Sequence, residues 1–369
     1  MLNWTLRELL SAPQQLLASV AAVAGAFALV LFFEGIFAGE SEQIVALIEK
    51  TEGDVWVMQK GVGNMHMATS FVADWKVGAV ADVEGVEKAT PILYLNSAIE
   101  AGGRSWFSFV VGLESDDPRA GPWSPAGGAR MPPQGGAIVP DIFASDAGLA
   151  LGDTVRIAGR DFAVAGFSSD TFSMANSITY VTMTDLADAM SSIGSVSYIM
   201  VDAAPGVAPD ALAMRIMEQV EEVNALTRAD FSARDYSIAV QMGLEIVWMM
   251  TLIGGVLAVL LTGFIVYSHI SERERELAVM KALGFRNPAI YASNMLQALA
   301  IAALAFVLSV ALMLAAVPLA EWLMPKVNLA LTGSALVRTG ATALVVSLIA
   351  SAIPVRRVLS VDPATAFQR

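Results

Sequence analysis

The sequence predicts a membrane α-helical protein: four transmembrane helices, with a large α+β extracytoplasmic domain inserted between the first and the second. Three observations carry this. Of 369 residues, 56% are hydrophobic and 15% charged, whereas a soluble domain carries about 25% charge. The apolar residues gather in four runs, each long enough as a helix to cross a hydrocarbon core of about 30 Å. The charge is divided: residues 39–243 hold 27 acidic and 12 basic side chains, and the rest of the chain is slightly basic. An acidic soluble block argues against nucleic acid, whose phosphates need a basic surface. There is no cysteine, which excludes disulfides, thiolate zinc sites and a cysteine nucleophile. The two histidines, His66 and His269, are far apart in sequence, and each reads as structural rather than as a metal ligand.

In chain order, residues 1–15 form an amphipathic lead whose Trp4 and Arg7 suit the cytoplasmic interface. The first span is 16–38. A cleaved signal peptide fits less well, because Arg7 is offset by Glu8 and no A-x-A site follows. Glu34, near the outer end of this span, reads as an interfacial carboxylate reaching toward the headgroups. Residues 39–238 form the extracytoplasmic α+β domain, expected as two subdomains with a Pro/Gly-rich joint near 115–136. Its segment 54–59 alternates as a strand does, and two strands meet at Gly102-Gly103. Residues 135–167 read as strand, short helix and a hairpin turning at Gly159-Arg160. A helix after residue 184 is expected to be capped by Thr184, and Pro209–Leu226 is expected to be helical throughout.

Residues 239–269 are a stalk and the second span. Gly254, Gly255, Ala258 and Gly263 are small enough to let another helix approach closely. A charged segment, 270–288, follows. Ser271 and Glu274 have capping-box spacing, Leu277, Met280 and Leu283 share a face, Gly284 can close the helix, and Pro288 blocks its continuation. This is a short amphipathic helix at a membrane surface, suited to docking a cytoplasmic partner. The third span is 289–320, a short outer loop 321–333, the fourth span 334–354, and a tail 355–369. Arg338 reads as a side chain reaching out of the fourth span. Outside 39–243, eight of the ten lysines and arginines fall beside the two termini and in 270–288, so the positive-inside rule makes the protein multi-pass with both termini cytoplasmic.

The segment RERELAVMKALGFRNPAI resembles the cytoplasmic segment of MacB/FtsX-type ABC transporter permeases, including the LolC/DevC-like type VII members. Arg275, Glu276, Lys281, Ala282, Leu283 and Gly284 match residue by residue. The ending VRRVLSVDPATAFQR is similar too, through Asp362, Pro363, Ala364, Ala366 and Phe367. The resemblance implies a coupling helix that docks a separate ATPase through Glu272, Arg273, Arg275, Glu276, Leu277, Met280, Lys281, Gly284 and Phe285. A tail motif, Asp362, Pro363, Ala364 and Phe367, accompanies it.

The resemblance also implies a non-catalytic permease subunit in a bacterial inner membrane. Its partners would be a cytoplasmic ABC ATPase, a second copy or a sister permease, membrane lipids and, as a further candidate, a periplasmic adaptor. No cofactor is expected in this chain, since ATP and Mg would sit on the ATPase. The residues agree: there is no P-loop, no H-E-x-x-H and no G-x-S-x-G. No catalytic or metal-ligating set stands out. Two functions follow from the likeness. One is the ATP-driven extraction or export of lipid, lipoprotein or another hydrophobic substrate. The other is FtsX-like mechanical control of a cell-envelope enzyme, without transport.

Overall fold

A computed structural model describes residues 13–114, 118–173, 177–272, 279, 287–324 and 326–352. The chain divides into two units. One is the sheet domain, residues 40–242 together with 324–328. The other is the helical unit, which takes in residues up to 39, 243–323 and those from 329 onward.

Among the described residues, four helices are long and apolar enough to cross a membrane. They are α1 (Pro13–Ile44), α7 (Arg228–Glu272), α8 (Asn287–Leu323) and α9 (Gly333–Ala352). Between residues 16–37, 248–265, 291–320 and 333–350, the only acidic or basic side chains are Glu34 and Arg338. The helical unit packs largely through small residues: Ala24, Ala258, Ala305 and Ala350 are buried, as are Phe27 and Ile301. That fits helices that gain by close van der Waals approach, with no water to expel.

The sheet domain begins with α2 (Ala46–Lys50) and β1 (Val55–Gln59), followed by β2 (Val72–Ala73), α3 (Trp75–Ala81), β3 (Val86–Ala101) and β4 (Arg104–Leu113). Next come β5 (Pro125–Gly128), β6 (Gly136–Pro140), α4 (Asp141–Ala147), β7 (Thr154–Ile157), β8 (Arg160–Ser168) and β9 (Ile178–Thr182). The last elements before α7 are α5 (Met183–Met190), β10 (Ser195–Val196), β11 (Tyr198–Ala203), α6 (Pro209–Gln219) and β12 (Val223–Thr227).

One sheet runs β12-β1-β11-β3-β4-β9-β6-β8-β5, with β7 on β3 and β8. Its pairs are antiparallel except β4 with β9 and β6 with β8. β3 is the hinge of this order. Its first half pairs with β11 and its second half with β4, so one long strand serves both ends of the sheet. The period of two is visible in β1. Val55 and Val57 pack into a core with Leu212 and Ile216 of α6, while Trp56 and Met58 face the opposite core with Tyr198 and Phe231. A third core, around Phe143, Ile157 and Phe162, lies under α4 and α5.

Four expectations shift. Pro209–Leu226 is not one helix: α6 stops at Gln219, Glu222 turns with a positive φ of 53°, and β12 then pairs along β1. A sheet edge outweighed local helix pattern here. α5 is capped by Thr182 rather than Thr184, because Thr182 is the extended residue whose Oγ1 accepts from the Asp185 N–H. The β7–β8 turn is centred on Ala158 and Gly159, both at positive φ, with Arg160 already paired to Ile157. Glu34 does not reach toward the headgroups. It is 1% exposed and paired with Arg338, so neither side chain simply projects from its span.

Candidate functional site

α7 is continuous in sequence through both units, as the end of α1 is, and its start is firmly fixed. Thr227 Oγ1 accepts from the Asp230 N–H at 3.1 Å, so α7 begins with a side-chain cap. Arg228 donates to the Thr51 carbonyl at 3.2 Å, and its own N–H donates to the Asp54 carbonyl. Phe231 is fully buried against Trp56 and Tyr198.

Two turns into α7, Asp235 is 1% exposed and carries three donors from the loop between β1 and β2. Its Oδ1 accepts from the Met65 and His66 N–H groups at 3.1 and 3.3 Å. Its Oδ2 lies 2.6 Å from His66 Nδ1. The His66 ring sits edge-on to Phe109 at 4.7 Å. Burial, and then the charges of Tyr198 and Asp235, push the Tyr94 hydroxyl well above its ordinary range, so it stays protonated beside this carboxylate. A buried carboxylate needs such donors to offset its lost hydration. No local signal in the sequence marks this pair, whose partners are separated by 169 positions.

A second site lies in the helical unit. Arg338 of α9 donates through Nε and Nη2 to Glu34 Oε2 of α1, at 2.7 and 2.5 Å. Thr251 of α7 donates toward Glu34 Oε1 at 3.4 Å. Three spans therefore meet at one carboxylate. Opposite charges at similar depth in two otherwise uncharged spans were the available sequence signal.

The packing residues predicted in the second span are placed as follows. A methyl group on Gly254 would come within 2.2 Å of Val30 Cγ2 on α1, so only glycine allows this contact. Gly255 faces Thr342 of α9 more loosely, at 3.7 Å. Ala258 and Gly263 are buried.

Residues 324–328, between α8 and α9, belong to the sheet domain. Lys326 pairs with Asp146 at the end of α4 at 2.9 Å, and Arg104 approaches the same carboxylate at 3.4 Å. Asn328 donates its N–H to Glu40 Oε1 and its side-chain amide to the Phe172 carbonyl. The hydrogen bond from Lys326 is the main reason the Asp146 carboxyl is held below the usual carboxylate range.

Elsewhere in the sheet domain, Asp74, Glu114, Asp188, Thr182 and Ile193 line an open cleft of about 830 Å³. Among the described residues, no group of three or more His, Asp or Glu side chains could hold a metal ion.

Of the predicted docking residues, Glu272 is the last residue of α7. Arg273, Arg275, Glu276, Leu277, Met280, Lys281, Gly284 and Phe285 lie outside the described residues, as do Asp362, Pro363, Ala364 and Phe367.

Four apolar helices among the described residues, with a sheet-rich domain inserted in sequence between the first and the second, define a multi-pass membrane protein. The family profile described as MacB-like periplasmic core domain matches residues 16–219, and that of the FtsX-like permease C-terminal region matches 248–363. The chain belongs to the MacB/FtsX type of ABC transporter permease.

Relatives include an uncharacterized ABC transporter permease of Mycobacterium bovis, 26% identical over 371 residues. Another, from Mycobacterium tuberculosis, is 26% identical over 372 residues. Each match spans 100% of this chain and 99% of the relative. Among solved structures, the periplasmic region of MacB from Actinobacillus actinomycetemcomitans aligns with a TM-score of 0.40 at 11% identity, over 51% of this chain and 94% of that one. The extracellular domain of the ABC-type transporter YknZ from Gram-positive bacteria aligns at 0.37 and 11%, over 47% and 100%.

Proposed function

We propose that this permease carries motion from its ATPase to the sheet domain, and that the sheet domain uses it to extract or export lipid, lipoprotein or another hydrophobic substrate. The observation that carries this reading is α7. It is an unbroken 45-residue helix that begins at Arg228, is anchored in its first turns through Asp235, and ends at Glu272, where the docking segment starts. A helix of that length can act as a rod. The docking contacts would come from Arg273, Arg275, Glu276, Leu277, Met280, Lys281, Gly284 and Phe285. The segment 324–328, tied to Asp146, Glu40 and Phe172, offers a second attachment.

Hydrophobic cargo suits the helical unit, where Glu34 and Arg338, the charged residues within the span sequences, pair with each other. In this reading the chain has no catalysis of its own, and ATP and Mg²⁺ are held by the ATPase. The permease sits in the bacterial inner membrane with both termini cytoplasmic and pairs with a second copy or a sister permease. The domain limits are those set out from the sequence, with the sheet domain on the far side from the ATPase.

The test compares a deletion strain with wild type. The expected result is a shift in envelope lipids or lipoproteins, reversed by the wild-type gene. Unchanged lipids with altered wall-hydrolase activity would instead assign the family's regulatory role. Topology is checked in the cysteine-free chain with single cysteines at Ala126, which is exposed, and at Asn287. Only the first should react with an impermeant maleimide.

A further inference from the structure

The Glu34–Arg338 pair leaves half of the arginine unused, and we infer that the free half binds the phosphate of a membrane lipid. A guanidinium has a side-on edge, Nε with one Nη, and an end-on edge made by both Nη groups. Glu34 Oε2 occupies the side-on edge through Nε and Nη2. The Nη1 group has no hydrogen-bond partner among the described residues, and the Arg338 side chain is 52% exposed while that of Glu34 is 2% exposed. So the carboxylate is the buried, positioning member, and the arginine is the exposed one.

That edge sits at a depth where phosphate is available. α9 begins at Gly333, so Arg338 lies about 7.5 Å along the helix from its end. In the proposed topology this is the extracytoplasmic end of the fourth span, which puts Arg338 in the outer leaflet. Below Arg338 the same helix exposes Ala341, Leu344 and Val345, with Val337 beside it. One cation above an apolar stripe matches a phosphate ester above its acyl chain. The pairing with Glu34 fixes the guanidinium plane in advance, which lowers the ordering cost of binding. It also makes an otherwise isolated cation tolerable in the span.

The test is native mass spectrometry of the full chain in mild detergent, with phosphatidylglycerol or diacylglycerol as the probe. Wild type should retain phosphatidylglycerol in preference to diacylglycerol, and excess inorganic phosphate should not displace it. Because R338Q leaves Glu34 buried without its partner, the double variant E34Q/R338Q is measured beside it; its paired amides keep a neutral hydrogen bond. Both should lose roughly tenfold in retention, the worth of one charge-assisted bidentate contact. R338K, with no fork, should fall between, and E34Q should keep the lipid.

Equal retention by E34Q/R338Q and wild type would overturn the site. So would displacement by inorganic phosphate, which would mean that the apolar stripe plays no part. A change in the dimer-to-monomer ratio with lipid retention unaltered would overturn it too, by assigning the face to a second copy of the chain.

Discussion

Among the described residues, each unit buries one carboxylate almost completely, and each satisfies it differently. In the sheet domain, Asp235 takes two backbone N–H groups and a histidine ring from a single loop. In the helical unit, Glu34 takes the guanidinium of another helix, with a threonine at longer range. The difference follows from what each environment can offer. A domain with loops can turn free backbone N–H groups toward an anion. A span has already used its N–H groups within its own helix, so only side chains remain, and the charge must be cancelled by a full opposite charge. One carboxylate therefore fastens a loop to a helix, and the other fastens a helix to a helix.

The largest effect is expected where that compensation cannot relax. R338A should leave the buried Glu34 carboxyl without its partner and cost on the order of 3–5 kcal/mol. The neutral pair E34Q/R338Q should recover most of it. Thermal unfolding in detergent, with yield of monodisperse protein, measures both; equal melting of R338A and wild type would remove the pair from the account. Next comes D235A, which strands buried loop donors and should cost about 2–4 kcal/mol. D235N should cost less, because an amide oxygen can still accept. If D235A proves neutral, the loop is held by its apolar contacts alone.

A smaller loss, about 1–3 kcal/mol from overpacking, is expected for G254A against Val30. V30A in the same chain should relieve it, and a double-mutant cycle reads the coupling.

The smallest effect is the pH dependence of the Lys326–Asp146 contact. The folded Asp146 carboxyl titrates below the usual carboxylate value, chiefly because of Lys326. Its contribution is therefore complete above the unfolded value of about 3.9 and is lost as pH falls through the lower folded value. Amide exchange at 324–328 should rise over that acid window in wild type, and K326M should flatten the rise.

The sequence made the spans plain, because runs of apolar residues that long have few other uses. It also marked most strands of the sheet domain, where the alternation in β1 and the paired glycines at 102 and 103 are local signals. It missed β12, since Val223–Thr227 follows a helical pattern and becomes a strand only because β1 offers an open edge. It read Glu34 and Arg338 as separate interfacial groups, because a pair separated by 304 positions has no local signature. His66 and Asp235 were invisible as a pair for the same reason. The docking residues around Glu276 rest on motif likeness, and the comparisons carry the family rather than those individual roles.

The central claim is that a separate ATPase drives this chain through the segment after Glu272. The direct measurement is ATP hydrolysis in material purified with the full-length permease from its own membranes, for wild type and for the double substitution E276A/L277A. Hydrolysis should accompany the wild-type chain and be lost with the variant, while the variant still inserts in the membrane at normal abundance. Equal hydrolysis with both, from an ATPase that remains bound, would contradict the account.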